Sequence, residues 1–242
     1  VNSNTYNDGP MSNVVSATTA TPALPVYKIA YNKGSGGDGR DIWIINSDGT
    51  GNYNFTGTQI SGSSGVRDDF MAVAPDGTLG WMQQDGSTMV GIVTRKHINS
   101  QDPVDKCGIG DGSGVRRAIA FSPNSSQAVI ARVNSSNYLD IRLRGDAKCT
   151  GSSTDISLTP SSLPNGTTYI DWGSSGIAYT RNISSSNNWI EVVNTSGSTT
   201  HSKQLPNNIM SIGWIDWSPD GTKILYSAMK TGSGYGLYIW NI

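Results

Sequence analysis

The sequence is poor in the residues on which most helices and enzyme sites depend. Of its 242 residues 14% are charged, and it has one glutamate, two histidines and two cysteines. Glycine, serine, threonine and asparagine are abundant, and these residues favour turns over helices. The formal net charge is -1 and the basic residues form no patch, which argues against a nucleic-acid partner. The scarcity of helix-forming residues predicts an all-β chain. No apolar run approaches the ~20 residues that span a bilayer, so we expect no membrane insertion.

The scarcity of catalytic residue types also argues against an enzyme. The sequence has no nucleophile-elbow, zinc-protease, phosphate-loop or dinucleotide-binding motif. His97 and His201 are expected in solvated loops, and Asp68 and Asp69 form the only adjacent pair of carboxylates. Neighbours on a strand point to opposite faces, which weakens a shared role for that pair. We therefore expect no catalytic residue, no cofactor and no enzymatic activity.

The cysteines and one glycine-rich segment offer limited metal or cross-linking chemistry. Cys107 and Cys149 suit one disulfide, with two buried thiols as the alternative, and their spacing to the histidines fits no zinc site. Residues 36–42 match a calcium-binding nonapeptide in which Asp38 and Asp41 would be the ligands. Such repeats bind calcium when stacked in tandem, and this copy is single, so a turn role is the stronger interpretation.

A repeat of about 48 residues dominates the sequence. Its best copy reads Ile-Asp-Trp-Ser-Pro-Asp-Gly-Thr-Lys-Ile-Leu-Tyr at 215–226, which predicts a strand, a tight turn and a second strand. The equivalent final residues of the second strands, Tyr31, Trp81, Ala131, Tyr179 and Tyr226, recur at intervals of 47 to 50. A third strand rich in β-branched and aromatic residues follows each hairpin, as at 41–46 and 237–241, and weaker fourth strands are expected at 52–58 and 154–159. Four strands per repeat predict a single β-propeller of about five four-stranded blades.

These units resemble the TolB-like, or WD-like, propeller repeats. The resemblance rests on Trp-Ser-Pro-Asp-Gly-Thr-Lys-Ile-Leu-Tyr at 217–226, on the strand at 237–241, and on 41–49, where Asn-Ser-Asp-Gly closes the third strand. It spans 26–242, with departures at 124–125 and 173–176. The resemblance implies the propeller fold; members of the family include translocation proteins, peptidase propeller domains and carbohydrate-handling proteins, so it does not select a function.

The two ends of the chain suggest how the propeller is completed. We divide the chain into an extended segment, 1–25, and the propeller, 26–242. The last repeat stops after its third strand, and an open sheet edge needs a cover. The expected cover is a β-compatible stretch of small and polar residues, which comprises Ser12, Asn13, Val14, Val15, Ser16, Ala17 and Thr18. It would complete a blade in cis, or in trans by strand donation to another copy.

Function follows less directly than fold. The leading hypothesis is a non-enzymatic propeller that acts through protein contacts, with copies of itself as partners in a filament or another homopolymeric assembly. The alternative is a carbohydrate-binding propeller, in which aromatic residues of the repeated strands such as Trp43, Trp172 and Trp240 would stack on glycans, although core packing is their default role. A third hypothesis is an enzyme with an aspartate site in the central channel. The composition and the start at Val1 favour a processed, secreted protein at the cell surface or outside the cell, with the periplasm as another location.

Overall fold

The computed structural model places five antiparallel sheets one after another along the chain. It describes residues 26–34, 41–56, 66–85, 88–95, 105–107, 115–133, 136, 138–147, 155–159, 168–184 and 186–242. These residues include no helix long and apolar enough to cross a membrane, and every regular element among them is a strand. The predicted all-β class is therefore confirmed.

Each sheet is formed by strands that follow one another in the sequence. Sheet 1 contains β1 (Lys28–Lys33), β2 (Asp41–Asn46) and β3 (Tyr53–Asn54). Sheet 2 contains β4 (Val66–Val73), β5 (Leu79–Asp85), β6 (Thr88–Arg95) and β7 (Asp105–Cys107). Sheet 3 contains β8 (Val115–Phe121), β9 (Ala128–Val133), β10 (Leu139–Arg144) and β11 (Asp155–Ser157). Sheet 4 contains β12 (Ile170–Gly173), β13 (Gly176–Ser184), β14 (Asn187–Val193) and β15 (Thr199–Gln204). Sheet 5 contains β16 (Ile209–Trp217), β17 (Lys223–Lys230) and β18 (Gly234–Asn241).

The repeated residue of the sequence occupies one structural position. Tyr31, Trp81 and Tyr226 lie on β1, β5 and β17, where they pair with Trp43, Val93 and Tyr238 of the following strand. In sheets 2 and 5 another strand precedes the one that carries this residue. β1 is therefore the second strand of its repeat, and among the described strands sheet 1 has none in the first position.

The hairpin turns use the chemistry that their sequence predicts. Asp220 accepts the backbone N–H of Thr222 at 3.0 Å, and Gly221 takes φ +68°. Where the sequence departs to Asn-Ser, Ser125 adopts the left-handed conformation with φ +60°. Its buried hydroxyl accepts the N–H of Asp76 from the preceding sheet at 3.1 Å, so this departure adds a link between sheets.

Apolar packing holds the sheets face to face. A separate cluster of buried side chains lies between each pair of consecutive sheets, such as Ile44 with Trp81 between sheets 1 and 2, and Ile190 with Ile224 between sheets 4 and 5. Polar contacts support the last junction, where Asn182 accepts the N–H of Ile212 at 2.9 Å and donates to its carbonyl at 3.2 Å. Consecutive sheets stack as propeller blades do.

The two terminal sheets have fewer described strands than the three middle sheets. Sheets 2, 3 and 4 have four strands each, whereas the described parts of sheets 1 and 5 have three. Sheet 5 ends at β18, as expected from the missing fourth strand, and within the described chain it packs on sheet 4 and not on sheet 1. The segment predicted to complete a blade, residues 12–18, lies outside the described residues.

Candidate ligand site at the first strands of the sheets

A cavity of about 490 Å³ lies where the first strands of sheets 2 to 5 meet. β4, β8, β12 and β16 all contribute to its wall, which identifies them as the inner strands of the blades. Equivalent positions of these strands carry different residues. Asp171 and Asp216 each precede the tryptophan that lies near the end of their strand, and Ala120 holds the same place before Phe121 on β8. The repeat therefore brings two carboxyl groups to one side of the cavity.

Asp171 is fixed by backbone donors from two sheets. Its Oδ1 accepts the N–H of Trp172 at 2.8 Å, and its Oδ2 accepts the N–H of Trp217, on sheet 5, at 2.7 Å. Burial, helped by the negative charge and hydrogen bond of Asp216, raises the pKa of Asp171 to about 6 against the opposing effect of the Trp217 N–H. Asp171 therefore holds a proton below about pH 6, which it can share with Asp216 through their hydrogen bond.

Aromatic side chains surround this pair. Trp214 is 67% exposed, and its ring centroid lies 4.9 Å from that of Tyr169, with an interplanar angle of 49°. Its exposure follows from a β-bulge, because Gly213 and Trp214 together oppose Ser227 of β17. Burial also raises the pKa of the Tyr169 phenol, which therefore stays protonated at neutral pH. The cavity combines a carboxyl pair with exposed aromatic surface.

Of the metal-ligand and disulfide candidates expected from the sequence, those that the structure describes do not line the cavity. Asp41 begins β2 and accepts a hydrogen bond from Asn54 Nδ2 at 2.7 Å, while Asp38 lies outside the described residues. Within the described part of the chain no three histidine, cysteine or acidic residues come together in a group able to hold a metal. Cys107 ends β7 and Cys149 lies outside the described residues, so their disulfide stays a prediction.

The remaining polar candidates are also separate from the cavity. His201 is exposed on β15, so the prediction that it occupies a loop is wrong: residues 199–204 pair with β14 as an outer strand. Asp68 and Asp69 lie on β4, and His97 lies outside the described residues. The two carboxylates that do meet, Asp171 and Asp216, are far apart in the sequence.

The expected packing role holds for four of the repeated tryptophans. The half-buried Trp172, which also lines the cavity, and Trp240 pack against core clusters. Trp81 and Trp217 are buried, with 0% and 8% exposure. Trp43 and Trp240 are half-buried, and lysine ammonium groups lie near their rings, Lys33 at 4.2 Å from the Trp43 centroid and a second lysine at 5.7 Å from the Trp240 centroid. The exposed tryptophan of the cavity, Trp214, was not among the candidates.

Sequence reasoning missed the carboxyl pair although its signal was present. Ile-Asp-Trp occurs at 170–172 and again at 215–217, at equivalent positions of consecutive repeats. Residues at the same position of consecutive repeats lie at equivalent places in neighbouring blades. Alignment of the repeats by structural position would therefore have brought Asp171 and Asp216 together.

A second buried charge cluster has a structural role. Asp140 Oδ2 accepts hydrogen bonds from Arg132 and Arg142 at 2.8 Å, and its Oδ1 accepts from the hydroxyl of Ser157 at 2.6 Å. Burial opposes ionisation of Asp140, but these donors outweigh it and hold its pKa below the ordinary value. The cluster joins β9, β10 and β11 of sheet 3 and does not line the cavity.

Comparisons with known proteins identify the fold. No protein-family model matches the chain. No curated protein matches it either. Among solved structures, TolB from Acinetobacter baumannii matches with a TM-score of 0.65 and 17% identity, over 89% of this chain and 50% of that one. A gluconolactonase from Xanthomonas campestris matches with a TM-score of 0.54 and 12% identity, over 83% of this chain and 65% of that one. A puromycin hydrolase matches with a TM-score of 0.57 and 13% identity, over 84% of this chain and 31% of that one.

These similarities correct one expectation and support another. The prediction that the chain is not an enzyme is contradicted, because structures that share its fold include a gluconolactonase and a puromycin hydrolase. At sequence identities of 12 to 17%, these similarities show a shared fold and do not show a shared activity. The chain spans half the length of the TolB structure it matches. It has an all-β, TolB-like propeller fold built from several small antiparallel sheets.

Proposed function

We propose that this protein acts through protein contacts, as a secreted or cell-surface propeller of five blades that associates with copies of itself through its terminal sheets. In this proposal the first sheet of one copy covers the last sheet of the next. Residues 12–18 add the outer strand beside β18. A head-to-tail contact of this kind joins two different surfaces, so it builds a ring or a filament according to its rotation.

The observation that carries the proposal is the outer face of sheet 5. Tyr235, Leu237 and Ile239 are 72%, 73% and 61% exposed, and Leu225 of β17, which pairs with Ile239, is 41% exposed. These side chains share one face, because pairing and alternation place them together. The corresponding faces of sheets 1 to 4 are each covered by the next sheet. A contiguous apolar face of this size is typical of an interaction surface.

Sheet 1 offers the complementary surface. Its outer face carries Ile29, which is 48% exposed, and the half-buried Tyr31, Trp43 and Ile45. Blades pack through such alternating apolar faces, so the outer faces of sheets 1 and 5 suit each other chemically. β1 and β18 are edges of their sheets among the described strands, and an added strand could pair with either. Closure of the ring within one chain is the competing arrangement.

The test separates assembly from closure within one chain. Light scattering and negative-stain microscopy would compare the full chain with Ile239→Lys, which places a charge on the exposed face, and with Thr199→Lys, an exposed control on β15. We expect oligomers of the full chain and of the control variant, and monomers of Ile239→Lys. Deletion of residues 1–25 should weaken assembly as well. A full chain that is monomeric at all concentrations would overturn the proposal.

Carbohydrate binding is the second candidate function, favoured by the exposure of Trp214 beside Tyr169. Exposed aromatic rings at a cavity mouth can stack on sugar rings. A glycan array with the full chain and with Trp214→Ala would test it. Binding that the substitution abolishes would support a lectin-like role, and the absence of binding across diverse glycans would remove it.

A further inference from the structure

The cavity carries negative charge that its own wall does not balance. Among the described residues that line it, Asp171 and Asp216 are the only charged groups, and the wall contributed by β4 and β8 is uncharged. A buried or half-buried carboxylate is normally paired with a cation or well supplied with hydrogen-bond donors. Asp171 has two backbone donors, whereas Asp216 is exposed. The side chain with free acceptor capacity toward a ligand is therefore Asp216.

The aromatic residues of the wall also favour a positively charged ligand. The face of an indole or phenol ring attracts a cation within about 6 Å of its centroid. Trp214 and Tyr169 line the cavity together with the carboxyl pair, and each lies two residues before one of its aspartates. A carboxylate combined with aromatic faces is the arrangement that recognises ammonium and guanidinium groups.

We propose that the cavity binds a small organic cation, with its ammonium or guanidinium group held by Asp216 and Asp171 and its adjoining carbon chain against Trp214 and Tyr169. A neutral sugar would stack on the same rings but leave both carboxylates unbalanced. Among the described residues no third histidine, cysteine or acidic side chain joins this pair in a group able to hold a metal ion. The cavity, at about 490 Å³, has the size of a small-molecule site. This inference is independent of the assembly proposed above.

Binding should depend on pH with a defined sign. The titratable groups that face the site are Tyr169, which directly precedes β12, Asp171 of β12 and Asp216 of β16, with Tyr235 of β18 acting on Tyr169. Burial raises the pKa of the Tyr169 phenol, so this group stays uncharged at both pH 5 and pH 7.5. Asp171 has a pKa of about 6, so the pair loses one negative charge as the pH falls through that value. A cation therefore binds better at pH 7.5 than at pH 5. Near pH 6 its binding displaces the proton of Asp171 into the solution.

The probe is Nα-acetyl-lysine amide, and its matched control is Nα-acetyl-norleucine amide, which has the same carbon chain without the amine. Isothermal calorimetry and tryptophan fluorescence would measure both at pH 7.5 and pH 5.0. We expect binding of the lysine compound only, weakened at pH 5.0 by about fivefold to tenfold, because roughly one pair in ten keeps both charges one unit below its pKa. Methyl glucoside serves as the neutral sugar.

Two variants with matched controls assign the site. Asp216→Asn should weaken binding by about tenfold or more, since a charge-assisted hydrogen bond is lost. Trp214→Ala should weaken it by about threefold. Comparable changes at exposed positions next to sheet 1, Asp48→Asn after β2 and Tyr27→Ala before β1, should have no effect. Thermal melting verifies that each variant is folded. If Asp216→Asn does not fold, the result for Trp214→Ala decides the test.

The opposite results would overturn the proposal. Equal binding of the lysine and norleucine compounds would show an apolar pocket, and binding of methyl glucoside with no pH dependence would show a sugar site. Binding of the lysine compound that survives both cavity substitutions would place the cation elsewhere. No binding of the lysine compound at millimolar concentration would refute the cation site as well.

Discussion

Replacement of Asp216 by asparagine should stabilise the protein at neutral pH. Asp171 titrates at about 6 in the folded state, against 3.8 for an unperturbed aspartate. A raised carboxyl pKa means that the folded state holds its proton more tightly than the unfolded state does. This contribution to stability is complete below pH 3.8 and is lost as the pH rises through 6. At pH 7.5 the folded wild-type protein therefore holds the Asp171 carboxylate in its charged form. There its burial and the charge of Asp216 destabilise the fold.

The magnitude follows from the size and causes of the shift. One pKa unit corresponds to about 1.4 kcal/mol, so the displacement from 3.8 to about 6 represents roughly 2 to 3 kcal/mol of stability lost between pH 4 and pH 7.5. Burial of Asp171 is the largest cause and persists in the variant. Asparagine removes the neighbouring charge and can donate to the Asp171 carboxylate, which should lower the pKa by about one unit. The expected gain in the free energy of unfolding is about 1 to 2 kcal/mol at pH 7.5.

Chemical denaturation at pH 5.0, 6.0 and 7.5 would measure the effect. The free energies of unfolding of Asp216→Asn and wild type should diverge as the pH rises, from nearly equal values at pH 5.0. Groups shared by both proteins cancel in the difference, and the lowered pKa values of Asp48, Asp140 and Asp220 place their own titration below this window. A difference that is constant with pH, or a variant that is less stable at pH 7.5, would refute the shared proton.

Three further predictions address the scaffold. Asp140→Asn should cost about 3 kcal/mol in urea denaturation, because two arginines then surround a neutral side chain; an unchanged midpoint would contradict this. Gly173→Ala puts a Cβ 2.5 Å from an indole carbon and should cost about 1 to 3 kcal/mol by thermal melting, whereas Gly145→Ala, which meets open space, should not; equal melting temperatures would be the contrary result. Non-reducing peptide mapping should join Cys107 to Cys149, and alkylation of both without reduction would disprove the disulfide.

The sequence predicted the repeat well because each local signal agreed with the fold. β2 runs over Asp41–Asn46 as expected, and the Ser-Pro-Asp-Gly segment forms the tight turn that its residues favour. The fourth strands are shorter than expected, at Tyr53–Asn54 and Asp155–Ser157. Outer strands pair on one side only, and their residues carry little of the alternation that marks the inner ones. Their lengths are therefore set by the neighbouring strand more than by their own sequence.

The cavity could be predicted only in part. The repeated Ile-Asp-Trp placed aspartates at the same position of two blades, but the pKa of Asp171 depends on burial and on a backbone N–H from sheet 5. Neither property is visible in a single segment. The exposure of Trp214 depends on a bulge, and the surrounding apolar pattern predicts a buried strand residue there. Tertiary contacts therefore determine which of the repeated residues form a site.

Completion of the ring bears on the cavity as well as on assembly. Four inner strands form the described wall, and sheet 1 adds none, because Tyr31 places β1 in the second position of its repeat as Trp81 does β5. In a closed ring, a strand added beside β1 would lie between β4 and β16 and would complete the wall next to Asp216. Whether that strand comes from the same chain or from a second copy, its side chains would contact the ligand. If the added strand raises the affinity for the cation by some factor, the bound cation raises the affinity for the strand by the same factor. This follows because the coupling free energy between two binding equilibria is reciprocal.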